Sequence, residues 1–313
     1  NFFTLVNDRQ LELDQYFINF YFYSNSSYTC SLGKGIFNSN AVHKRKVLGV
    51  LMELKMYQVD AFTGQLFSGN PAAVVVLESP IADSLMQSIA SENNLSETAF
   101  IAINDNPISI RWFTPSTEVD LCGHATLASG RILFEYYPAL AGDEINFHSK
   151  SGNLKVTKNE ENLCLNFPLD PPKVVAADLV FTEILGFDPI QILKGKDDYL
   201  AIFKNQNEIE EIKPNFSMLS KLNSRGLVIS AQGRDVDFVS RCFYPEAGIE
   251  EDPVTGSAHT MLTPYWANKL NKSELNAQQL SKRGGKLNCR LNGNRVFISG
   301  NSVIYFDGTI SIG

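Results

Sequence analysis

Read for the spacing of its apolar and polar positions, the chain changes character near residue 52. Residues 1–51 are rich in Asn, Phe, Tyr and Ser and hold no sustained helix or strand period, and a basic cluster runs from His43 to Lys46. The following Met52-Glu-Leu-Lys-Met56 reads as a protein start, so residues 1–51 are expected to be an extension outside the core and dispensable for folding; an added strand-and-loop region is the competing reading. Beyond Met56 the pattern is regular. Tyr57–Phe62 and Ala72–Leu77 predict strands joined by a turn through Ser68-Gly69-Asn70-Pro71. Asp83–Ser91 predicts an amphipathic helix with Asp83 as N-cap and Leu85, Met86, Ile89 and Ala90 on one face. Thr98–Ile103 and Ile108–Phe113 predict strands. Gly123–Tyr137 predicts a helix whose apolar residues spread round most of its circumference, so it should be buried on nearly all sides. Strands at 145–147, 154–157 and 163–167 follow, and Asp170-Pro-Pro172 reads as a linker.

The second half repeats this plan. Asp178–Leu185 predicts a short helix stopped by Gly186. Strands are expected at 191–193, 199–203, 227–230 and 237–243. A second buried helix should begin after Pro253 and run to about Leu270. Strands at 279–281, 296–299, 302–306 and 309–312 close the chain. Strands wrapped round one helix, twice, imply an α+β fold with an internal duplication and a ligand cleft between the halves. The expected domains are residues 52–170, joined by a returning strand at 302–313, and residues 171–301.

Composition narrows the function classes. With 44 % hydrophobic and 19 % charged residues in 313, the chain can build a sizeable core. A net charge of -7 argues against a nucleic-acid surface and against a basic membrane-binding face. Five scattered cysteines, none in C-x-x-C spacing, suggest neither a disulfide framework nor a structural zinc site. No apolar run reaches the length of a membrane span and no signal peptide is evident, so a cytoplasmic location is expected. No P-loop or persuasive dinucleotide fingerprint is present, so no cofactor is expected: no metal, pyridoxal phosphate, flavin or nicotinamide.

Three segments carry chemistry: Asn94-Leu-Ser-Glu97-Thr-Ala-Phe100, Asp120-Leu-Cys-Gly-His-Ala-Thr126 and Gly248-Ile-Glu-Glu-Asp-Pro-Val-Thr-Gly-Ser-Ala-His259. The last two fall at the expected starts of the two central helices. Helix starts offer unpaired N–H groups and partial positive charge. Gly123 and Gly256 would let a ligand approach the backbone. Two such starts facing one cleft are expected to bind an acidic small molecule without any Arg or Lys. Each residue also has a structural reading. Glu97 could be a solvated strand-edge carboxylate. Asp252 before Pro253 has the form of an N-cap followed by proline at the first helical position. Cys122 could be a buried small hydrophobe, His124 a polar residue near a helix start, and His259 structural.

These segments, with Gly69-Asn-Pro-Ala, Arg111-Trp-Phe-Thr-Pro and Glu118-Val-Asp-Leu-Cys-Gly-His-Ala-Thr-Leu-Ala, resemble the PhzF-like phenazine-biosynthesis family of the diaminopimelate-epimerase-like superfamily. The resemblance runs from about Met56 to the end. It implies two similar domains, each a β-sheet wrapped round a central helix, with the active site between them. It also implies cofactor-free isomerisation, in which an acidic residue moves a proton between carbons of a cyclic, amino-acid-like substrate. Carried over, Glu97 is the general acid/base, His124 and Asp252 are its active-site partners, and Gly256 and Ser257 form an anion-binding turn. Cys122-Gly-His124 is similar to the first of two cysteine motifs in the superfamily's racemases, but the second site, Asp252-Pro-Val-Thr-Gly, has no cysteine, which disfavours a two-thiol mechanism. The partner expected is a small carboxylate substrate; the resemblance also implies a homodimer, which nothing else in the sequence requires. Two rival functions stand beside the isomerase: an amino-acid racemase or epimerase using Cys122, and a binding protein that keeps the fold without catalysis.

Overall fold

The computed structural model describes residues 51–159, 162–176 and 178–313. The expectation that residues 1–51 form a dispensable extension concerns, but for residue 51, a stretch outside those residues.

Hydrogen-bond pairing arranges the described strands as two copies of one path. In the first half, β1 (Met52–Ala61) pairs antiparallel with β2 (Asn70–Leu77), and β2 pairs parallel with β3 (Glu97–Ala102). β3 is antiparallel to β4 (Ile108–Phe113), which carries the short antiparallel β5 (Glu118–Val119) and runs parallel to β6 (Glu144–Ser149). β7 (Gly152–Asn159) and β8 (Asn162–Pro168) follow antiparallel. After β9 (Lys173–Val174) the series repeats: β10 (Gln191–Lys194) is antiparallel to β11 (Asp198–Ile202), and β11 is parallel to β12 (Gly226–Gln232). β12 is antiparallel to β13 (Phe238–Tyr244), which carries β14 (Ile249–Asp252) and runs parallel to β15 (Glu274–Gln279). Then come β16 (Gly285–Asn292) and β17 (Arg295–Gly300), both antiparallel. β8 and β17 pair with each other, Phe167 opposite Val296, and so join the two paths. β18 (Ser302–Ile312) returns to pair along the whole of β1.

The connections place the helices. α1 (Asp83–Asn93) links β2 to β3; α2 (Gly123–Tyr136) and the short α3 (Pro138–Ala141) lie between β5 and β6. In the second half α4 (Leu179–Leu185) precedes β10, α5 (Gln206–Glu211) and α6 (Phe216–Leu219) link β11 to β12, and α7 (His259–Leu270) lies between β14 and β15. α2 is buried from Gly123 through Gly130 and again at Ile132 and Leu133, as its all-round apolar sequence predicts. At Gly130 an added Cβ would fall 2.8 Å from Val156 on β7, so the small residue sets how closely helix and sheet approach. One apolar core runs through both halves, from Val59, Leu127 and Phe147 to Val254, Leu262 and Trp266. α4 ends as its sequence predicts: Gly186 is left-handed (φ 72°), and Asp178 caps the start by accepting from the Val180 N–H.

Three expectations need correcting. Asp83 is the first helical residue rather than the N-cap; Ala82 holds the cap position, and the Asp83 carboxylate instead takes an ion pair from Arg111 at 2.7 Å. The second central helix begins at His259 rather than just after Pro253: Asp252 ends β14, and residues 253–258 form a turn ahead of the helix. Asp252 is therefore not the N-cap of that helix. The strand expected at 279–281 is the tail of β15, and β16 lay outside the expectation because its inward Leu287 and Cys289 alternate among Gly, Lys, Asn and Arg.

Candidate active site

A cleft of about 510 Å³ opens where the two halves meet. Glu97, Cys122, Gly123, His124, Asp252, Gly256 and Ser257 all line it, so the structure brings the predicted site residues into one place. The duplicated path explains why. Trp112 pairs with Val119 in one half, and Cys242 with Asp252 in the other. Counting on from these matched pairs sets Cys122 against Thr255 and Gly123 against Gly256. The two glycines meet: a Cβ built on Gly123 would lie 3.5 Å from the Gly256 Cα, and one on Gly256 would lie 3.6 Å from the Gly123 Cα. An added Cβ would thus make only ordinary contact across this seam, and the glycines leave the backbone open to a ligand. α2 brings its first, unpaired N–H groups to this point. In the second half the first helical bonds run from His259 N to Gly256 O and from Thr260 N to Ser257 O, so the N–H groups of Gly256 and Ser257 lie ahead of the ladder.

Glu97 begins β3 with its side chain 13 % exposed, and its Oε2 lies 3.3 Å from His124 Nε2. Neither of these two buried atoms has a standard hydrogen-bond partner among the described residues. Burial first, and the nearby Asp252 carboxylate second, push the Glu97 carboxyl up to about 8. Burial holds His124 down at about 3, so its ring is neutral. Asn70 lies against the other ring nitrogen. Its Nδ2 donates to Asp252 Oδ1 at 2.8 Å and to the Val254 carbonyl at 2.9 Å, and lies 3.2 Å from His124 Nδ1, so a protonated Nδ1 would set donor against donor. A bare Nδ1 puts the ring proton on Nε2, the nitrogen 3.3 Å from Glu97 Oε2. The two atoms are close enough for a hydrogen bond in either state of the carboxyl but are not aligned for one here.

Asp252 is buried, and desolvation raises it to about 6 against the lowering pull of its hydrogen bonds from Thr255 and Asn70. Gln279 ties this corner together: its Nε2 donates to the Asp252 carbonyl at 2.7 Å, and its Oε1 accepts from the Thr255 N–H at 2.9 Å. Cys122 lies with Sγ 3.5 Å from His124 Nδ1, and burial, with Glu97 next, raises its thiol well above the ordinary value. Glu97, Cys122 and His124 each offer a donor atom, all within 4.8 Å of one another. His259, on α7, is buried with Nδ1 2.8 Å from the Thr255 carbonyl and stays outside the cleft lining.

Sequence reasoning missed several members of the site. Asn70 stood in a quoted motif without a role. Thr255 and Gln279, which hold Asp252, carried no chemical signal. Beside the helix starts expected to hold an anion without Arg or Lys, Arg225 and Lys196 line the same cleft. They lie in the second half, far from any motif, and only the strand pairing brings them in.

The duplicated fold has the diaminopimelate-epimerase-like architecture. The sequence profile of the phenazine biosynthesis-like proteins matches residues 59–308, and the chain belongs to this PhzF-like family. It is similar to an isomerase of Pseudomonas aeruginosa, with 48 % identity over 261 residues that cover 83 % of this chain and all of the relative. Among solved structures it is similar to a PhzF-family protein of Enterococcus faecalis, with 44 % identity, TM-score 0.81, and coverage of 83 % of this chain and 100 % of that one. A hydroxyproline epimerase of Agrobacterium vitis shares the fold alone, at 8 % identity and TM-score 0.56 over 83 % of this chain and 93 % of that one. Among the described residues no helix is long and apolar enough to cross a membrane.

Proposed function

We propose that the enzyme isomerises a small cyclic carboxylate by moving a carbon-bound proton, with Glu97 as the acid/base and no cofactor. The observation that carries this reading is Glu97 itself, sunk in the cleft wall, faced by a neutral imidazole and raised to about 8. A group with that value exists in both states near neutral pH, which suits proton removal followed by proton return. The ionised carboxylate would take a proton from a carbon made acidic by conjugation or an adjacent carboxylate. The resulting carboxylic acid would return it to a second carbon of the delocalised anion, and the double bond moves between them. His124 would hold the carboxyl by donating from Nε2, and being neutral it need not titrate. The N–H groups at Gly123–His124 and Gly256–Ser257 would bind the substrate carboxylate and stabilise charge as it develops. Asp252, anchored by Asn70, Thr255 and Gln279, would fix the second wall and hold Glu97 high by its charge.

Transfer along a single face of the substrate is favoured with Glu97 as the carrier, because the Asp252 carboxylate on the other wall is taken by Asn70 and Thr255. Racemisation needs proton carriers on opposite faces, and the position matching Cys122 in the second half is Thr255. Cys122 is besides a neutral thiol. The two domains, residues 52–170 with 302–313 and residues 171–301, would each supply one wall. The test is a screen of cyclic and amino-acid carboxylates in heavy water. The expected result is deuterium entering a carbon position, lost in Glu97→Gln. Exchange that persists in Glu97→Gln and vanishes in Cys122→Ser would overturn the assignment in favour of a thiol base.

A further inference from the structure

Arg225 is the counterpart, in the second half, of the region that delivers Glu97 in the first. In the parallel pair β2–β3, Ala72 lies opposite Glu97; in the matching pair β11–β12, Asp198 lies opposite Gly226, and Arg225 is the residue just before it. The same strand ends thus aim an acid into the cleft from one side and a guanidinium from the other.

The guanidinium is held, not free. Its Nε donates to Asp198 Oδ1 at 2.9 Å and its Nη2 to Asp198 Oδ2, a fork on a carboxylate only 5 % exposed. Nη2 also reaches Ser257 Oγ at 3.5 Å, beside the anion-binding turn. The group lies over the Tyr244 ring, 5.3 Å from its centre, and Tyr244 OH donates toward Asp198 at 3.4 Å. Gly226 makes that seat: a Cβ there would fall 2.2 Å from the Tyr244 ring. Of the five donors of an arginine, the two on Nη1 have no protein acceptor among the described residues. Lys196, exposed on the tight turn whose N–H is fixed by Asp170 at 3.0 Å, borders the same space. Its side chain forms no ion pair among the described residues.

We propose that Arg225, with Lys196 at the mouth, forms a second anion subsite, so that the substrates of this enzyme are cyclic dicarboxylates: one carboxylate at the paired backbone turns, the other on the guanidinium edge. This rests on the carboxylate reading of the cleft given above. Asp198 is a positioning residue. Its fork fixes the guanidinium plane and leaves the two Nη1 protons for a ligand, and because Asp198 neutralises the guanidinium, the net positive charge that a second carboxylate would meet comes from Lys196. An ion pair made only for stability would not need its cation in the cleft wall, on an aromatic seat and touching Ser257.

The experiment is calorimetric binding of cyclohexanecarboxylate and of the cis-1,2-, 1,3- and 1,4-cyclohexanedicarboxylates to the full chain at low ionic strength. At least one dicarboxylate should bind roughly tenfold or more tighter than the monocarboxylate, the scale of a charge-assisted hydrogen bond. Arg225→Gln should erase that preference while leaving monocarboxylate affinity within about threefold. Arg225→Lys, which keeps a cation beside Asp198, should retain part of it, and the surface change Lys196→Gln should lower it by about two- to threefold. The ratio of the two affinities is the decisive reading, because a purely structural arginine would move both alike. No dicarboxylate preference in the native protein, or one unchanged in Arg225→Lys and Lys196→Gln, overturns the subsite. Native protein that binds the monocarboxylate but prefers no dicarboxylate sinks this inference alone; native protein that binds none of the four sinks the carboxylate reading with it.

Discussion

The β2–β3 edge of the first half and the β11–β12 edge of the second occupy matching places, yet the first presents Glu97 and the second Arg225. The same contrast holds at the two turns: Cys122-Gly123-His124 in one half is matched by Thr255-Gly256-Ser257 in the other. What the halves share is backbone, namely two neighbouring glycines and two segments ahead of a helix that line one cleft. What they do not share is the side chains that titrate. On the proposed reading, the duplicated frame would supply a carboxylate cradle, and divergence of a few residues would make one wall the proton carrier and the other the anchor.

If that division holds, exchanging the proton carrier should cost far more turnover than altering any other residue of the cleft. Glu97→Gln should reduce deuterium exchange by about 10²–10⁴-fold with carboxylate binding retained, read by exchange rate and by calorimetry on the same preparation. A variant with more than about a tenth of native activity would break the comparison. The native pH–rate profile sharpens it. Because the ionised carboxylate removes the proton, kcat/KM should rise with pH and level off above about 8. In Asp252→Asn the neighbouring charge that raises Glu97 is gone, so the midpoint should move to lower pH; an unmoved midpoint would show that the second wall does not tune the first. Cys122→Ser should change exchange less than about tenfold, since a thiol raised well above its ordinary value is no base at neutral pH.

The smallest effect concerns stability. Between the ordinary carboxylate range and about 8, the folded protein holds a proton on Glu97 that the unfolded chain has released. The unfolded state then binds fewer protons, so this group's contribution to stability falls as pH rises through that window. Glu97→Gln should flatten the trend. Urea midpoints at pH 5.5 and 8.5 should differ less in the variant than in the native protein, and an equal difference would mean that Glu97 is not buried with its proton.

Much of the frame was legible in the chain. The all-round apolar run of α2 can only suit a helix enclosed by sheet, and the Asp178 and Gly186 signals at the ends of α4 act through local hydrogen bonds and local φ. Motif residues Glu97, Cys122, His124 and Asp252 could be picked out because they stand in unbroken segments. Asp252 shows the limit. Its place before Pro253 satisfied a local rule for a helix cap, yet its carboxylate is taken by Thr255 and by Asn70, which is 182 residues away along the chain.

Sequence by itself determined the α+β class, the repeated strand–helix plan, the family and the motif half of the site, because these follow from periodicity, local capping and contiguous residues. Tertiary structure decided which groups titrate where, and what shares the cleft with them. The value of about 8 at Glu97 is a property of burial and of a charge from the other half, and Arg225 enters the cleft only because β12 pairs with β11 and β13. Desolvation and strand register are set by residues distant in the chain, and no local pattern encodes them.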